Sequence, residues 1–287
     1  MIRPDGAAYA FALSIDVDGD LPLLADDPSA VDREKTRSAG RYGPDHGVAR
    51  LSALLADLDL KADWFFPGLV AAEHPDVVRA LHRAGHGIGV HGHRHLDFDR
   101  LTLEEQIAEM TSGRAAIERI TGAPATGFRT PAGEWAAGFP EAMGALGFRW
   151  SSSLPSDELP FPLTRSGLVE VPFRYELEDK QYLAYNLDPA FPPGQSRITP
   201  LETVEENWWH EVRGAARYGT LVHLRLNAEV MGIPGRARML RRFLSGVRAR
   251  GDAWFATCDE LCSVTMRHAD DGRHPYALFL DLVEKRA

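Results

Sequence analysis

Only two cysteines occur among the 287 residues, Cys258 and Cys262. Four positions apart, they suit one turn of one helix and point alike, so they cannot staple a fold of this size. Basic residues are also scarce: 32 Lys+Arg stand against 41 Asp+Glu, a formal charge of −9. Nucleic acid as main partner needs a dense basic footprint, which this balance excludes. No stretch approaches the roughly 20 consecutive apolar residues of a membrane helix, so no membrane partner is expected. Repeats with a period of 20–50 residues and low-complexity linkers are missing too, which argues against solenoids and strings of small domains. The first residues, Met1 to Gly6, show none of the basic, apolar and small-residue segments of a secretory leader. Together with the cysteine usage, this sets the expected compartment as reducing and cytoplasmic.

What is present is the balance of a folded domain, 44% hydrophobic and 25% charged. The length suffices for a substantial core. Strand-like runs alternate with amphipathic helical stretches, which predicts an α/β architecture. Residues 9–18 alternate, with Phe11, Leu13, Ile15 and Val17 on one face and Ala12, Ser14, Asp16 and Asp18 on the other. Further strands are expected at 62–66, 87–91, 127–130, 149–152, 169–173, 221–226 and 253–256. Thr102 and Glu105 form a capping box ahead of an apolar stripe of Leu103, Ile107, Met110 and Ile117, and Gly122 supplies the stop. Pro234 opens another helix, which ends near Gly251. Segments 20–47 and 174–200 are long and weakly periodic and read as functional or mobile loops. The expectation is one domain over 1–287, a barrel with elaborated loops, ending in an extension from about 268 to 287.

Three motifs carry chemistry. His91, His93 and His95 fall within five residues at a strand end, where α/β enzymes build their sites. Two imidazoles with a carboxylate from elsewhere make the open three-ligand set of a catalytic metal; the plainer reading is a His-rich surface loop. Asp16 and Asp18 project from one strand face, about 7 Å apart at the backbone. One suits a metal and the other a proton, unless both simply mark the turn at Gly19. Arg129 precedes Pro131 and Gly133, a stiff turn that can present a guanidinium to a carboxylate; a surface ion pair is the alternative. Cys258 opens a helix with no partner base in sight and reads as a packed thiol. Trp208, Trp209 and the final stripe of Tyr276, Leu278, Leu280 and Leu282 suggest core or a subunit contact, which leaves room for a homo-oligomer.

These motifs, in this order, resemble the NodB-homology polysaccharide deacetylases (carbohydrate esterase family 4). The resemblance is nearer to their peptidoglycan-deacetylase-like, cyclic-imide-hydrolase and allantoinase-like branch, which carries a residue between its two aspartates, as Val17 lies between Asp16 and Asp18. It spans nearly the whole chain, through 14–19, Tyr42 with Gly43, 61–68, 85–91, 128–135, 147–154 and 251–257. It implies a deformed, incomplete (β/α) barrel with one divalent metal, expected to be zinc, on Asp18, His91 and His95. It further implies Asp16 as catalytic base and Arg129 as the arginine that orients it. Tyr42, Glu134, Trp135 and Arg225 are the candidate substrate contacts, and His93 has no assigned role.

The chain departs from that pattern at the last motif. The family's acid histidine position holds Asn227, and Ala228 replaces the following proline. Alternation puts Val222, Leu224 and Leu226 toward the helices and His223, Arg225 and Asn227 inward. An asparagine amide donates a hydrogen bond but delivers no proton near neutral pH. Either the leaving group needs less acid help or takes its proton from water, Asp16 or substrate, or His223 substitutes from about 13 Å back along the strand, or catalysis is weakened and binding remains. Arg225 suits an ion pair with Asp16 or Asp63, or an anionic substrate group. The function expected is a metal-dependent hydrolase of non-peptide carbon–nitrogen bonds, on a small N-acyl compound or cyclic imide. A polysaccharide or peptidoglycan N-deacetylase and a binding protein of the same fold are the alternatives. Partners are therefore a small amide, an imide or an N-acetylated sugar.

Overall fold

The computed structural model describes residues 6–163, 165–184 and 198–269. The predicted extension from about 268 and the stripe from Tyr276 to Leu282 lie essentially or wholly outside those residues. Among the described residues, nine strands form one curled sheet: β1 (Tyr9–Asp16), β2 (Asp63–Phe66), β3 (Gly87–Val90), β4 (Gly127–Phe128), β5 (Trp150–Ser151), β6 (Phe161–Leu163), β7 (Leu168–Glu170), β8 (Leu221–Asn227) and β9 (Ala253–Phe255). Their order is β6-β7-β5-β4-β3-β2-β1-β8, with β9 pairing the first residues of β1. Every pairing is parallel except β6 with β7. The sheet curls without closing, as the expected incomplete barrel requires. At the open seam, the chain at Glu178 bridges to Arg225, and Asp179 N–H donates to the Arg225 carbonyl at 3.2 Å.

Alternation along β1 and β8 sorts the interior as expected. Phe11, Leu13, Ile15, Val17, Val222, Leu224 and Leu226 pack outward into the main core under the helices. The inward face has two levels. Ala10, Ala12, Phe65, Trp150, Val169 and Leu221 meet Cys258, Leu261 and Cys262 of the helix Cys258–Ala269 in an apolar plug. Above the plug lie Ser14, Asp16, Arg129, His223 and Asn227, all buried. Ser14, Asp16, Arg129 and His223 are tolerated there because they hydrogen-bond one another. Both cysteines are buried and free, and Trp208 is core.

The helix Leu103–Thr121 starts on the predicted capping box: Glu105 N–H donates to Thr102 Oγ1, and Thr102 N–H donates to Glu105. The helix Pro234–Arg250 ends at Gly251, φ 71°. The 20–47 segment corrects the expectation of a loop. It holds the helices Leu21–Asp26 and Glu34–Tyr42, a 3-10 turn at Pro28–Asp32 and a π-turn at Gly43–Gly47. The helix Glu34–Tyr42 buries no residue, so no apolar stripe announces it. It is held by Arg37 and Arg41, both on Asp20 Oδ2 at 2.7 and 3.0 Å. At Gly40 a Cβ would lie 2.2 Å from the Gly19 carbonyl oxygen, so this close approach requires glycine. Segment 174–184 is likewise ordered, with a 3-10 turn at Tyr175–Leu177 and a short helix at Lys180–Leu183. The short antiparallel β6 escaped the sequence reading because Pro162 interrupts its alternation.

Candidate active site

β1 ends at Asp16, which lies in register with Phe65 of β2 on one side and Asn227 of β8 on the other. Its side chain is fully buried. Arg129 Nη1 donates to Oδ1 at 2.6 Å, and Arg225 Nε donates to Oδ2 at 2.9 Å. Burial alone would raise this carboxyl's pKa, but Arg129 and then Arg225 hold it well below the usual carboxylate range. Arg129 is itself locked: Nε donates to the Ser152 carbonyl at 2.7 Å, and Nη2 donates to Ser14 Oγ and Ser152 Oγ at 3.0 and 2.8 Å. Its guanidinium also lies 4.2 Å from the Phe65 ring centroid. Of the options open to Arg225, the structure shows the ion pair with Asp16, with Glu178 Oε1 at 3.6 Å as a second carboxylate.

Two residues on, past the strand end, Asp18 faces the histidines. His91 Nε2 is 3.5 Å from Asp18 Oδ1, and His95 Nε2 is 3.7 Å from Oδ2. The His91 Nδ1–H donates to the Arg129 carbonyl at 2.7 Å, which leaves the Nε2 lone pair facing Asp18. Burial pushes both imidazoles below their ordinary pKa, His95 to about 4, and so favours the neutral ligand form. The ligating atoms of Asp18, His91 and His95 all lie within 4.8 Å of one another. Asp18 Oδ1 is buried with no hydrogen-bond donor, an acceptor suited to a cation.

The histidine loop is bent by Gly92 (φ 69°) and by His95, a non-glycine residue at φ 59°. Glu109, buried on the helix Leu103–Thr121, holds it by accepting from His93 N–H, Arg94 N–H and Arg94 Nε at 3.1, 2.8 and 2.7 Å. His93 packs its ring against Gly68 and is not in the ligand group.

At the end of β8, the Asn227 backbone N–H and Nδ2 donate to Asp179 Oδ2 and Oδ1 at 3.0 and 2.8 Å. With the amide nitrogen on Asp179, Asn227 Oδ1 is left buried without a partner. Burial pushes the Asp179 carboxyl up to about 8 despite those two donors. His223 lies deeper, between the Pro172 carbonyl and Ser14 Oγ at 3.0 Å each, and burial pushes it down to about 3.

The other sequence candidates have partners of their own. The Tyr42 hydroxyl accepts from Arg50 at 2.9 Å. Glu134 is exposed, its backbone N–H on Asp99. Trp135 gives its indole N–H to Thr130 at 3.1 Å and packs on Phe128 and Phe139. None of these contacts reaches Asp18 or the imidazoles. Two residues that sequence reasoning missed do come close. Lys180 Nζ is 3.1 Å from Asp18 Oδ2 and 3.4 Å from Glu229 Oε1. The only signal for Lys180 was the charged triplet 178–180 inside a segment otherwise read as loop.

Residues 42–151 match the family described as polysaccharide deacetylase. A solved structure from Mycobacterium smegmatis, assigned to the polysaccharide deacetylases, superposes with a TM-score of 0.88 at 31% identity over 94% of each chain. The structure of PuuE allantoinase gives a TM-score of 0.77 at 19% identity, covering 93% of this chain and 92% of that one, a likeness of fold. The peptidoglycan deacetylase of Helicobacter pylori is 25% identical over 172 residues, which are 60% of this chain and 56% of the relative. The match thus spans little more than half of that protein.

Proposed function

The chain belongs to the polysaccharide deacetylase family, and from that premise we propose a metal-dependent hydrolase of non-peptide carbon–nitrogen bonds, acting on a small N-acyl compound or a cyclic imide. The observation that carries this reading is the Asp18–His91–His95 group, with two neutral imidazoles and a buried carboxylate oxygen lacking a donor. These three would hold one divalent cation, zinc by the character of an N,N,O donor set that leaves a position open. Bound there, the cation supplies Lewis acidity to water and to the substrate carbonyl.

The protein's own groups do the rest. Asp16 accepts the proton that the attacking water gives up, and Arg129, engaged at every guanidinium nitrogen, keeps that carboxylate in place. Two guanidiniums make Asp16 a weak base that stays ionised well into acid. It therefore works on a water already made acidic rather than generating the nucleophile alone. Arg225 shares in holding Asp16, which makes it a positioning residue rather than a substrate contact.

Asn227 supports the choice of substrate. It places no acid at the position of the family's histidine, and this suits an imide nitrogen whose departing charge is delocalised. The names of the H. pylori and M. smegmatis relatives favour a second reading, N-deacetylation of peptidoglycan or another polysaccharide. Zinc-loaded and metal-stripped protein assayed on cyclic imides, simple amides and N-acetylglucosamine oligomers separates these readings. We expect metal-dependent opening of imides or small amides. Turnover of the oligomers alone selects the second reading, and zinc binding without any product leaves a binding protein.

A further inference from the structure

When an amide is hydrolysed, the leaving nitrogen must gain a proton as the C–N bond breaks. The groups described above cannot give one. Asn227 is an amide. His223 has both ring nitrogens engaged below the site. Asp16 has a guanidinium on each oxygen. Lys180 directs its ammonium at two carboxylates.

Glu229 is placed differently. It lies in the short helix Ala228–Met231 directly after β8, two residues past Asn227 at the same end of the barrel. Its Oε1 is 3.4 Å from Lys180 Nζ, and that ammonium is 3.1 Å from Asp18 Oδ2. One lysine thus separates this carboxyl from the metal-ligand candidate. The other oxygen, Oε2, is buried and has no hydrogen-bond partner. Gly43 packs against it: a Cβ there would come within 3.3 Å of Oε2. A buried carboxyl with one oxygen anchored and one free is built to carry a proton on the free one.

We propose that Glu229 donates the proton to the departing nitrogen, the task that Asn227 cannot perform. The proposal rests on the hydrolase reading and concerns its amide substrates. As water oxygen bonds to the acyl carbon, the C–N bond breaks and its electron pair stays on nitrogen. The proton on Glu229 Oε2 moves to that pair. Asp16 meanwhile holds one proton from the water, and its return through solvent to Glu229 restores both groups. The net change is amide plus water to acid plus amine.

The charged groups that face Glu229 are Lys180 and Asp18, with Asp179 beyond. Burial, the largest influence, pushes its carboxyl up to about 7; Lys180 pulls it down and Asp18 adds to the rise. A carboxyl poised there is partly protonated at neutral pH.

The test compares Glu229→Gln with the wild type, both zinc-loaded, on a p-methoxyanilide and a p-nitroanilide of the same acyl group and on a cyclic imide. The glutamine keeps the shape and cannot donate a proton at these pH values. We expect a loss of about 10²–10⁴-fold on the methoxyanilide, the usual worth of a positioned acid. The nitroanilide and the imide should lose far less, the alkaline fall of the wild-type methoxyanilide profile should vanish, and zinc content should not change. Equal losses on all three substrates, lost zinc, or no loss at all overturn the proposal. Wild type that opens the imide but neither anilide overturns it and leaves the hydrolase reading standing. Zinc-loaded wild type inactive on all three brings down that reading and this one together.

Discussion

A carboxylate between two guanidiniums is a structural anchor as well as a chemical group, and Asp16 has to be both. Arg129 and Asp16 are almost wholly buried, so neither charge has water to fall back on. Breaking a buried pair by neutralising one member leaves the other charge uncompensated. Asp16→Asn should therefore abolish most turnover, by about 10²–10⁴-fold, and also cost on the order of 3 kcal/mol of stability. Steady-state assay and denaturant melts check the two effects separately, and zinc content should survive because Asp16 is not among the three grouped ligands. A variant with near wild-type turnover would show that another group takes the proton. Asp16, Asp18 and Arg129 could be singled out in the sequence because each ends a strand-like run. Lys180 and Glu229 could not, since neither has a local pattern and each matters only for what lies opposite.

At the scale of elements, the histidine loop is aimed by a helix that supplies none of the three grouped ligands. Glu109 gathers three N–H donors from that loop, so its carboxylate fixes the path between His91 and His95. Glu109→Gln turns an amide nitrogen toward some of those donors. It should weaken zinc affinity roughly 10–100-fold, as loss of an outer partner does at other sites. Competition with a chromophoric chelator measures this, and circular dichroism should show the helix unchanged. β2 begins on a second buried carboxyl, Asp63, whose Oδ2 accepts the Cys258 N–H at the start of the helix Cys258–Ala269 at 2.8 Å. Its Oδ1 has no partner, and burial pushes the group up to about 6. The sign follows from the raised value: the folded protein binds this proton more tightly than the unfolded chain does. The stabilisation is complete below the unfolded pKa near 4 and is lost as pH rises through about 6. Asp63→Asn lacks that titration, so its unfolding free energy relative to wild type should climb between pH 4 and 7.5, by about 3 kcal/mol at most, as denaturant melts across that range would measure. A pH-independent difference would place the proton elsewhere.

For the whole molecule, the ligand group joins the end of β1 to the loop after β3, on a sheet that does not close on itself. A cation held there binds the folded state and not the unfolded chain. At a thousandfold excess over its dissociation constant this adds about 4 kcal/mol. Stripping with a chelator should accordingly lower the melting temperature by roughly ten degrees for a chain of this size, and added zinc should restore it in a concentration-dependent way. A melting temperature indifferent to both treatments would count against the metal centre. Among the described residues, no helix is long and apolar enough to cross a membrane. The sequence by itself determined the inward and outward faces of β1 and β8, the capped helices, and the pairing of two aspartates with a histidine cluster. These features repeat at the period of one backbone element, so neighbours in the chain suffice to write them. The family resemblance had set Arg129 on Asp16; tertiary structure decided that Arg225 joins it there rather than meeting Asp63 or substrate, across 209 residues, and that Lys180 reaches Asp18 across 162. It also decided that 20–47 is helical, because that segment is held by Arg37 and Arg41 on Asp20 rather than by an apolar stripe. Contacts of charge and shape between distant segments carry no period, and only the curled sheet brings their ends to one place.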